Sequence, residues 1–226
     1  MSGSRRILNP AELTDQPATW PIAHRKQLGI GAIATFVNDT VVTPDGKTIE
    51  RQFTIHPGAV GIIAWNDADQ IAVVKQYRHP IGYELIEPPA GLLDQDNEDF
   101  LTGAQRELAE EAGLAAGRWR ILVDVFASPG AGEESVRIYL ATELTETAAP
   151  DGFKADAEES AMEVCWAARA QLVDAIFAGK IQNPTMVTGI LALETARNNR
   201  RLEQLRAADS VWEARAVKAE RVNQAH

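Results

Sequence analysis

Three glutamates, Glu107, Glu110 and Glu111, stand close together in one short segment of the sequence. Their spacing of three and four residues predicts that they share one broad face of a helix, because successive helical residues are rotated by about 100°. Neighbouring carboxylates repel one another, and a hard divalent cation that prefers oxygen ligands, Mg²⁺ or Mn²⁺, would relieve this repulsion. The pattern therefore indicates either a metal site or an acidic helix face exposed to solvent.

The helix that carries these glutamates is predicted over Asp99 to Ala112. Apolar residues recur along it at helical spacing, and Gly113 is a suitable C-terminal cap. The apolar stripe is centred roughly a quarter turn away from the glutamates. The helix can therefore pack on a sheet and still direct its carboxylates toward a cleft.

Most of the segments around this helix are predicted to be strands. They are rich in β-branched residues and are separated by turn residues, such as the Asp-Gly pair at 45–46. The predicted strands cover Gly31 to Thr43, Thr48 to His56, Ala59 to Trp65, Ile71 to Tyr77, Tyr83 to Ile86, Trp119 to Ala127, Val136 to Thr142 and Met162 to Ala167. The first two form an N-terminal hairpin, the next two form a second pair, and two more helices are predicted over Arg169 to Ala178 and from Pro184 to about Leu205. This order predicts a mixed α+β fold.

The composition limits the classes of protein that fit. Hydrophobic residues make up 45% and charged residues 24% of the chain, which is typical of a folded globular protein. The net charge of −10 argues against nucleic-acid binding. The single cysteine, Cys165, and the absence of a secretory signal predict a reducing, cytoplasmic setting. The longest run without Asp, Glu, Lys or Arg, Gln52 to Asn66, is too short to cross a membrane.

The segment from Arg106 to Leu114 (RELAEEAGL), with Gly91 and Glu98 upstream, resembles the Nudix box. The family pattern is G-x5-E-x7-R-E-U-x-E-E-x-G-U, where U is aliphatic, and the match is complete from Glu98 onward. One departure lies before the helix, where residues 92–97 give a spacer one residue longer than in the pattern. The resemblance implies a Nudix fold, a mixed β-sheet sandwiched between α-helices, here with the N-terminal hairpin as a small antiparallel annex.

Further motifs are similar to the ADP-ribose pyrophosphatase branch of Nudix hydrolases. They are VVKQYRHP at 73–80, ELIEPPAGLLD at 84–94, and Pro129 downstream of the box. The resemblance implies Mg²⁺-dependent hydrolysis of ADP-ribose to AMP and ribose 5-phosphate. The alternatives are another nucleoside diphosphate sugar as substrate and a noncatalytic sensor that binds ADP-ribose. The complete set of box carboxylates favours an enzyme over a sensor.

The resemblance also implies the metal ligands. Glu107 and Glu111 would be the main ligands, Glu110 would share a further metal, and the main-chain carbonyl of Ala90 would contribute an oxygen. Mg²⁺ keeps bound water and accepts substrate phosphates, which suits a small set of carboxylates.

Four residues of the motif are interpreted as structural. Arg106 would pair with Glu98 and thereby tie the preceding loop to the helix. Gly91 would allow a close approach of the backbone at the turn, and Gly113 would end the helix.

Three residues are candidates for substrate binding. Arg78 could contact the substrate phosphates or the terminal ribose, because a guanidinium suits phosphate, or it could form a surface ion pair. Glu87 could bind a ribose hydroxyl or a metal-bound water, or it could be a charge at a strand end. Glu134 is the third candidate.

The general base is expected outside the box. By resemblance, a glutamate on a loop well beyond the box orients or deprotonates the attacking water, and Glu158 and Glu159 occupy that place. Glu110 and Glu134 are the next candidates. The alternative reading of the loop is a solvated acidic segment.

We expect three regions along the chain. Residues 1–57 form an N-terminal segment with the hairpin, residues 58–206 form the hydrolase domain, and residues 207–226 form a helical or frayed tail. Because a two-stranded hairpin is only marginally stable alone, it needs a surface to cover it. The resemblance implies that this surface belongs to the second subunit of a homodimer, and the alternative is packing on its own chain.

Overall fold

A computed structural model describes the protein at residues 5–93, 98–148 and 162–215. The described residues form two compact units. The first comprises residues 5–26, 38–51 and 212–215, and the second comprises residues 27–37 and the described part of 52–211. No helix in the described ranges is long and apolar enough to cross a membrane.

The strands form three sheets, in the orders β1-β2-β3, β10-β5-β6 and β11-β8-β9-β4-β7. The strands are β1 (Ile22–Ile30), β2 (Thr35–Val42), β3 (Thr48–Ile55), β4 (Ala59–Ala64), β5 (Gln70–Arg78), β6 (Tyr83–Glu87), β7 (Ala90–Leu92), β8 (Leu114–Phe126), β9 (Ser135–Glu146), β10 (Glu163–Ala168) and β11 (Arg206–Ala207). The helices are α1 (Phe100–Ala112), α2 (Arg169–Phe177) and α3 (Pro184–Asn198).

The five-stranded sheet is mixed and has an apolar core on each face. Strand β4 runs parallel to β9 and antiparallel to β7. Successive residues of a strand point to opposite faces, so Ile62 packs in one buried cluster with Leu108 of α1, and Ile63 packs in another with Leu193 of α3. The predicted arrangement of a mixed sheet between helices is confirmed.

Two features of the sheets differ from the sequence prediction. The predicted pair of Ala59 to Trp65 with Ile71 to Tyr77 divides between two sheets, because β4 and β5 are joined only by a bridge from Trp65 to Ile71. Strands β1 and β7 were not predicted. Both are mostly exposed or half-buried, so they lack the apolar alternation that indicates a strand.

The C-terminal region also differs from the prediction. Helix α3 ends at Asn198 instead of near Leu205, because Arg200 adopts a left-handed backbone conformation (φ 54°) that cannot continue the helix. The tail begins as strand β11, and the carbonyls of Ala208 and Ser210 accept hydrogen bonds from Tyr139 and Arg137. These contacts hold residues 206–210 on the sheet, and the helical or frayed tail predicted from residue 207 stays a prediction for the residues beyond them.

The division into two units does not test the predicted domain boundary near residue 57. The first unit takes parts of β1, β2 and β3, and the second unit takes the rest of these strands. The three regions expected along the chain therefore stay a prediction.

Candidate active site

Helix α1 is fixed at both ends by local contacts. At its start, the Asp99 carboxylate accepts hydrogen bonds from the backbone N–H groups of Leu101 and Thr102, and these bonds lower the pKa of Asp99. At its end, Gly113 is left-handed (φ 63°), a conformation that costs a glycine little. Ala104 and Leu108 are fully buried. The helix is therefore held in one orientation, with its glutamates beside the buried face.

Arg106 gathers three carboxylates around one guanidinium. It binds Glu98 with two hydrogen bonds, from Nε at 2.9 Å and from Nη2 at 3.0 Å. Its Nη1 donates to Glu107 at 2.7 Å and to Glu110 at 2.8 Å. The pair of Arg106 and Glu98 expected from the box pattern is thus present. The bonds to Glu107 and Glu110 come in addition to it.

Burial also shifts the pKa of Glu107. Only 12% of its side chain is exposed, and this burial raises the pKa of Glu107 to about 7 against the opposing effect of the Arg106 charge. Because burial disfavours the ionised form of Glu107, an additional positive charge beside it would stabilise that form.

The chain approaches α1 closely at Ala90 and Gly91. The backbone N–H of Ala90 donates to Glu111 at 2.8 Å. A Cβ atom on Gly91 would lie 1.9 Å from Cδ of Glu107, which is far inside van der Waals contact. A larger residue at position 91 would therefore force the Glu107 carboxylate out of its present position, which is consistent with the glycine of the motif.

The charges of this site fit a divalent cation. Arg106 supplies the positive charge that faces Glu98, Glu107 and Glu110, so negative charge is left in excess. Within the described ranges, however, no three His, Cys, Asp or Glu side chains already converge as a metal-binding group. The reason is that Glu107 and Glu110 turn toward Arg106, and Glu111 turns toward the N–H of Ala90.

Arg78 and Glu87 form a partly buried ion pair at the ends of β5 and β6. Arg78 donates from Nε at 2.9 Å and from Nη2 at 2.7 Å to the two carboxylate oxygens. The Glu87 side chain is 2% exposed, whereas that of Arg78 is 41% exposed. The two candidate substrate contacts thus bind each other, and only the arginine reaches the surface.

The other candidate residues belong to the loop between β8 and β9 or lie outside the described residues. Glu134 belongs to the loop between β8 and β9, where its carbonyl accepts from the N–H of Ala127. Glu158 and Glu159 lie in residues 149–161, which the structure does not describe.

Sequence reasoning missed three contacts of the site, the bonds of Arg106 to Glu107 and Glu110 and the bond of Ala90 to Glu111. The bond from Arg106 to Glu110 has a recognisable signal, because oppositely charged residues four apart on a helix often pair. The bond from the N–H of Ala90 to Glu111 has no such signal, since the two residues are far apart in the chain and meet only in the fold.

Comparison with known proteins places the chain among characterised relatives. The NUDIX domain model matches residues 55–187. An ADP-ribose pyrophosphatase of Mycobacterium tuberculosis is 40% identical over 185 residues, which are 82% of this chain and 87% of the relative. An ADP-ribose pyrophosphatase of Bacillus subtilis is 36% identical over 121 residues, which are 54% of this chain and 65% of the relative.

A solved structure described as an ADP compounds hydrolase has a similar fold. The superposition covers 84% of this chain and 100% of that chain, with a TM-score of 0.66 and 17% sequence identity. At this identity the likeness shows the fold alone. It agrees with the mixed sheet between helices described above.

Proposed function

Because the chain belongs to the NUDIX family, we propose that it hydrolyses ADP-ribose to AMP and ribose 5-phosphate. The observation that carries this proposal is the 40% identity with the mycobacterial ADP-ribose pyrophosphatase over most of both chains. In this reaction water adds to one phosphorus and the bridging P–O bond breaks, so that each product keeps one phosphate.

Nudix hydrolases generally use divalent metal ions, and we propose Mg²⁺, or alternatively Mn²⁺, for this chain. The ligands would be the carboxylates of Glu107, Glu110 and Glu111 and the main-chain carbonyl of Ala90. Support comes from the excess of negative charge around Arg106 and from the raised pKa of the buried Glu107. When bound, the cation would neutralise phosphate charge, orient the attacking water and stabilise the leaving group.

The protein itself contributes shape and fixed charge to this reaction. Arg106 holds Glu98, which anchors the segment before α1, and Gly91 lets the backbone lie against Glu107. Arg78 is the cation proposed to contact the substrate phosphates, since its guanidinium reaches the surface. Glu134 stays a proposed substrate contact from sequence reasoning alone.

The general base is proposed to be Glu158 or Glu159, with a slight preference for Glu158. Both lie outside the described residues, so the support is the position of this acidic segment downstream of the box. Single Gln substitutions should separate the two, because one should lower kcat by about 10²-fold or more with little change in KM. If both variants and the double variant keep near-normal kcat, the base lies elsewhere, and Glu110 and Glu134 are tested next.

A substrate screen tests the activity itself. ADP-ribose, nucleoside diphosphate sugars, NADH and diadenosine polyphosphates are incubated with the protein and Mg²⁺, and the products are identified by chromatography. We expect ADP-ribose to give the highest kcat/KM and to yield AMP and ribose 5-phosphate. A clear preference for another nucleotide sugar would replace the proposed substrate, and no turnover of any compound would overturn the hydrolase proposal.

We also propose a homodimer that uses the N-terminal strands. Four large apolar side chains of this region are exposed, Leu28 by 40%, Ile30 by 73%, Ile33 by 55% and Phe36 by 41%. A second copy of the chain would remove these side chains from water. Light scattering should give the dimer mass at micromolar concentrations. A monomer mass throughout that range would contradict the proposal.

The cellular setting that we propose is the cytoplasm. Cys165 is a free thiol, and unpaired cysteines are usual where thiols are kept reduced. Rapid alkylation of cell extracts followed by mass spectrometry should find Cys165 labelled, whereas a protected, oxidised thiol would argue against this setting.

A further inference from the structure

A groove runs between helix α3 and strand β8. Leu191 and Ala192 of α3 line one side of it, and Leu122 and Val123 of β8 line the other. The volume of the groove is about 560 Å³, within the range of roughly 300–1,000 Å³ that is typical of small-molecule pockets. Helix α3 packs on one face of the five-stranded sheet, whereas α1 and its glutamates belong to the other face. The groove is therefore not part of the candidate active site.

The short length of β11 explains why the groove exists. Strand β11 pairs with only two residues of β8, Arg120 and Ile121. No strand of the described sheets covers this edge of β8 beyond Ile121. Between α3 and β11 the chain forms a 3₁₀ turn over Leu202–Gln204. Arg201 and Leu205, which flank this turn, complete the lining of the groove.

The apolar part of the lining is aliphatic. It consists of leucine, isoleucine, valine and alanine side chains, and no aromatic side chain of the described residues lines the groove. Leu122, Val123, Leu191 and Leu205 are each half-buried, so part of their apolar surface is in contact with water. A saturated chain in the groove would remove this surface from water. A nucleobase, in contrast, would find no aromatic ring on which to stack.

The charged part of the lining is cationic. Arg201 and Arg206 line the groove, and no Asp or Glu among the described residues does so. Arg206 donates to Asp124 at 2.7 Å. The guanidinium of Arg201 forms no hydrogen bond or ion pair within the described ranges, while its backbone N–H donates to the carbonyl of Ala196 at 2.7 Å. The groove thus presents one guanidinium, on a fixed backbone, to an incoming anion.

The positive charge of this region contrasts with the rest of the chain. Residues 197–206 contain four arginines and one glutamate, which give a formal charge of +3 in a chain whose net charge is −10. A single exposed arginine is ordinary on a protein surface. A cationic segment that borders an aliphatic groove is complementary to a ligand with an apolar body and an anionic end.

The size of the groove suits a small molecule better than a protein. A stable protein interface uses roughly 20–30 residues on each side, whereas 11 described residues line the groove. A ligand that fills it would contact α3, β8 and the connection between α3 and β11 at once.

We propose that this groove binds a free anionic amphiphile, a saturated aliphatic chain that ends in a carboxylate or a phosphate. The chain lies between α3 and β8, and the anionic end binds Arg201. The ligand is bound without being changed. Because the groove and the active site lie on different faces of the sheet, ADP-ribose does not compete with this ligand.

Calorimetric titration of decanoate and of decyl phosphate tests the binding. Both are added below the concentration at which they form micelles, with a chelator present to remove divalent metals. We expect both to bind, and the two Kd values show which anionic end is preferred. Decyltrimethylammonium, which has the same chain and the opposite charge, should not bind. Equal binding of all three compounds would overturn the proposal.

The length of the chain tests the aliphatic part of the groove. In the series decanoate, octanoate and hexanoate, each methylene removed should weaken binding by up to about fourfold, because less apolar surface is buried. Ala192→Phe should fill the groove and abolish binding of decanoate. A Kd that is the same for all three chain lengths would contradict a bound chain.

Arg201→Gln tests the cationic part, and Arg200→Gln is its matched control. The two arginines are adjacent and exposed, but only Arg201 lines the groove. Arg201→Gln should raise the Kd for decanoate by about tenfold or more, and Arg200→Gln should change it by less than about twofold. Turnover of ADP-ribose should stay within about twofold of wild type in both variants. Equal weakening in the two variants would reduce the effect to general attraction of charge and overturn the assigned site.

Three further outcomes would replace the proposed occupant. If saturating ADP-ribose displaces decanoate, the amphiphile binds in the active site. If Arg201→Gln lowers the mass measured by light scattering, the groove holds a second copy of the chain. If decanoate and decyl phosphate do not bind, but the protein sediments with vesicles of phosphatidylcholine and phosphatidylglycerol and Arg201→Gln does not, the groove faces a membrane. We expect no displacement, an unchanged mass and no sedimentation with vesicles.

Discussion

Helix α1 and strand β9 each carry a buried arginine that binds a carboxylate with two hydrogen bonds. Arg106 binds Glu98, and the exposed fractions of these side chains are 18% and 6%. Arg137 binds Asp124, and the exposed fractions are 3% and 8%. The two pairs use the same chemistry and are both largely shielded from solvent, so the contrast between them lies mainly in the other groups around each arginine.

The surroundings of Arg106 leave negative charge in excess. Its Nη1 atom is shared between Glu107 and Glu110, so a single cation faces three carboxylates. Buried carboxylates that lack a full partner are costly, and proteins keep such an arrangement mostly where a ligand completes it.

Among the described ion pairs around Arg137, two arginines share one carboxylate. The Nη1 atom of Arg137 donates to the carbonyl of Ser210, and Asp124 accepts a further hydrogen bond from Arg206 at 2.7 Å. This cluster ties β11 and the following residues to the sheet. The balance of charge, and not the arginine–carboxylate pair itself, therefore distinguishes the candidate site from a structural contact.

The largest expected effect is the loss of turnover in Glu107→Gln and in Glu111→Gln. Each change keeps the shape of the side chain and removes a charge proposed to bind the cation, so kcat should fall by about 10³-fold. Turnover of ADP-ribose at saturating Mg²⁺ measures it, and circular dichroism checks the fold. Activity within about threefold of wild type would refute the metal assignment.

The opposite outcome is expected for Asp124→Asn in the Arg137 cluster. Removing this charge leaves Arg137 buried without its main partner, which should lower the free energy of unfolding by about 3 kcal/mol. Turnover should stay within about threefold of wild type. Urea unfolding and kinetics on the same sample measure both quantities. A large loss of kcat without loss of stability would contradict the structural role assigned to the pair of Arg137 and Asp124.

Gly91→Ala tests whether the site needs the backbone at position 91 to lie against the side chain of Glu107. The added Cβ would meet Glu107 at 1.9 Å, so the chain or the glutamate must move. We expect a loss of about 2 kcal/mol in the free energy of unfolding, together with reduced kcat. Gly130→Ala is the matched control, because no atom lies within 4 Å of its added Cβ. Equal free energies of unfolding and equal kcat values in the two variants would show that the contact between Gly91 and Glu107 is unimportant.

The smallest effect is expected for Asp99→Ala, which alters the start of α1 and none of its glutamates. Loss of the N-cap should lower the free energy of unfolding by about 1 kcal/mol at pH 7. Hydrogen bonds from Thr102 hold the pKa of Asp99 below its usual value of 3.8. The contribution of the charged cap is therefore present above that value and is lost as the pH falls through the lowered pKa. Urea unfolding from pH 7 to pH 2 should show the two proteins converging, and a difference that stays constant would contradict this cause.

The sequence by itself determined helix α1 and the grouping of its glutamates. The period of an α-helix fixes which residues share a face, so the spacing of Glu107, Glu110 and Glu111 was enough. The end of the helix at Gly113 followed from the same local pattern, and the pair of Arg106 with Glu98 followed from the resemblance to the Nudix box. The family was recognisable for this reason, since the box lies within one continuous segment.

Only the tertiary structure decided which distant residues meet. The bond from Ala90 to Glu111, the pair of Arg78 with Glu87 and the contact of Arg137 with Ser210 join different elements. Such contacts depend on sheet register and on the path of the loops, which are set by the packing of both apolar cores and not by local spacing. For the same reason, the division of β4 and β5 between two sheets became visible only in the folded chain.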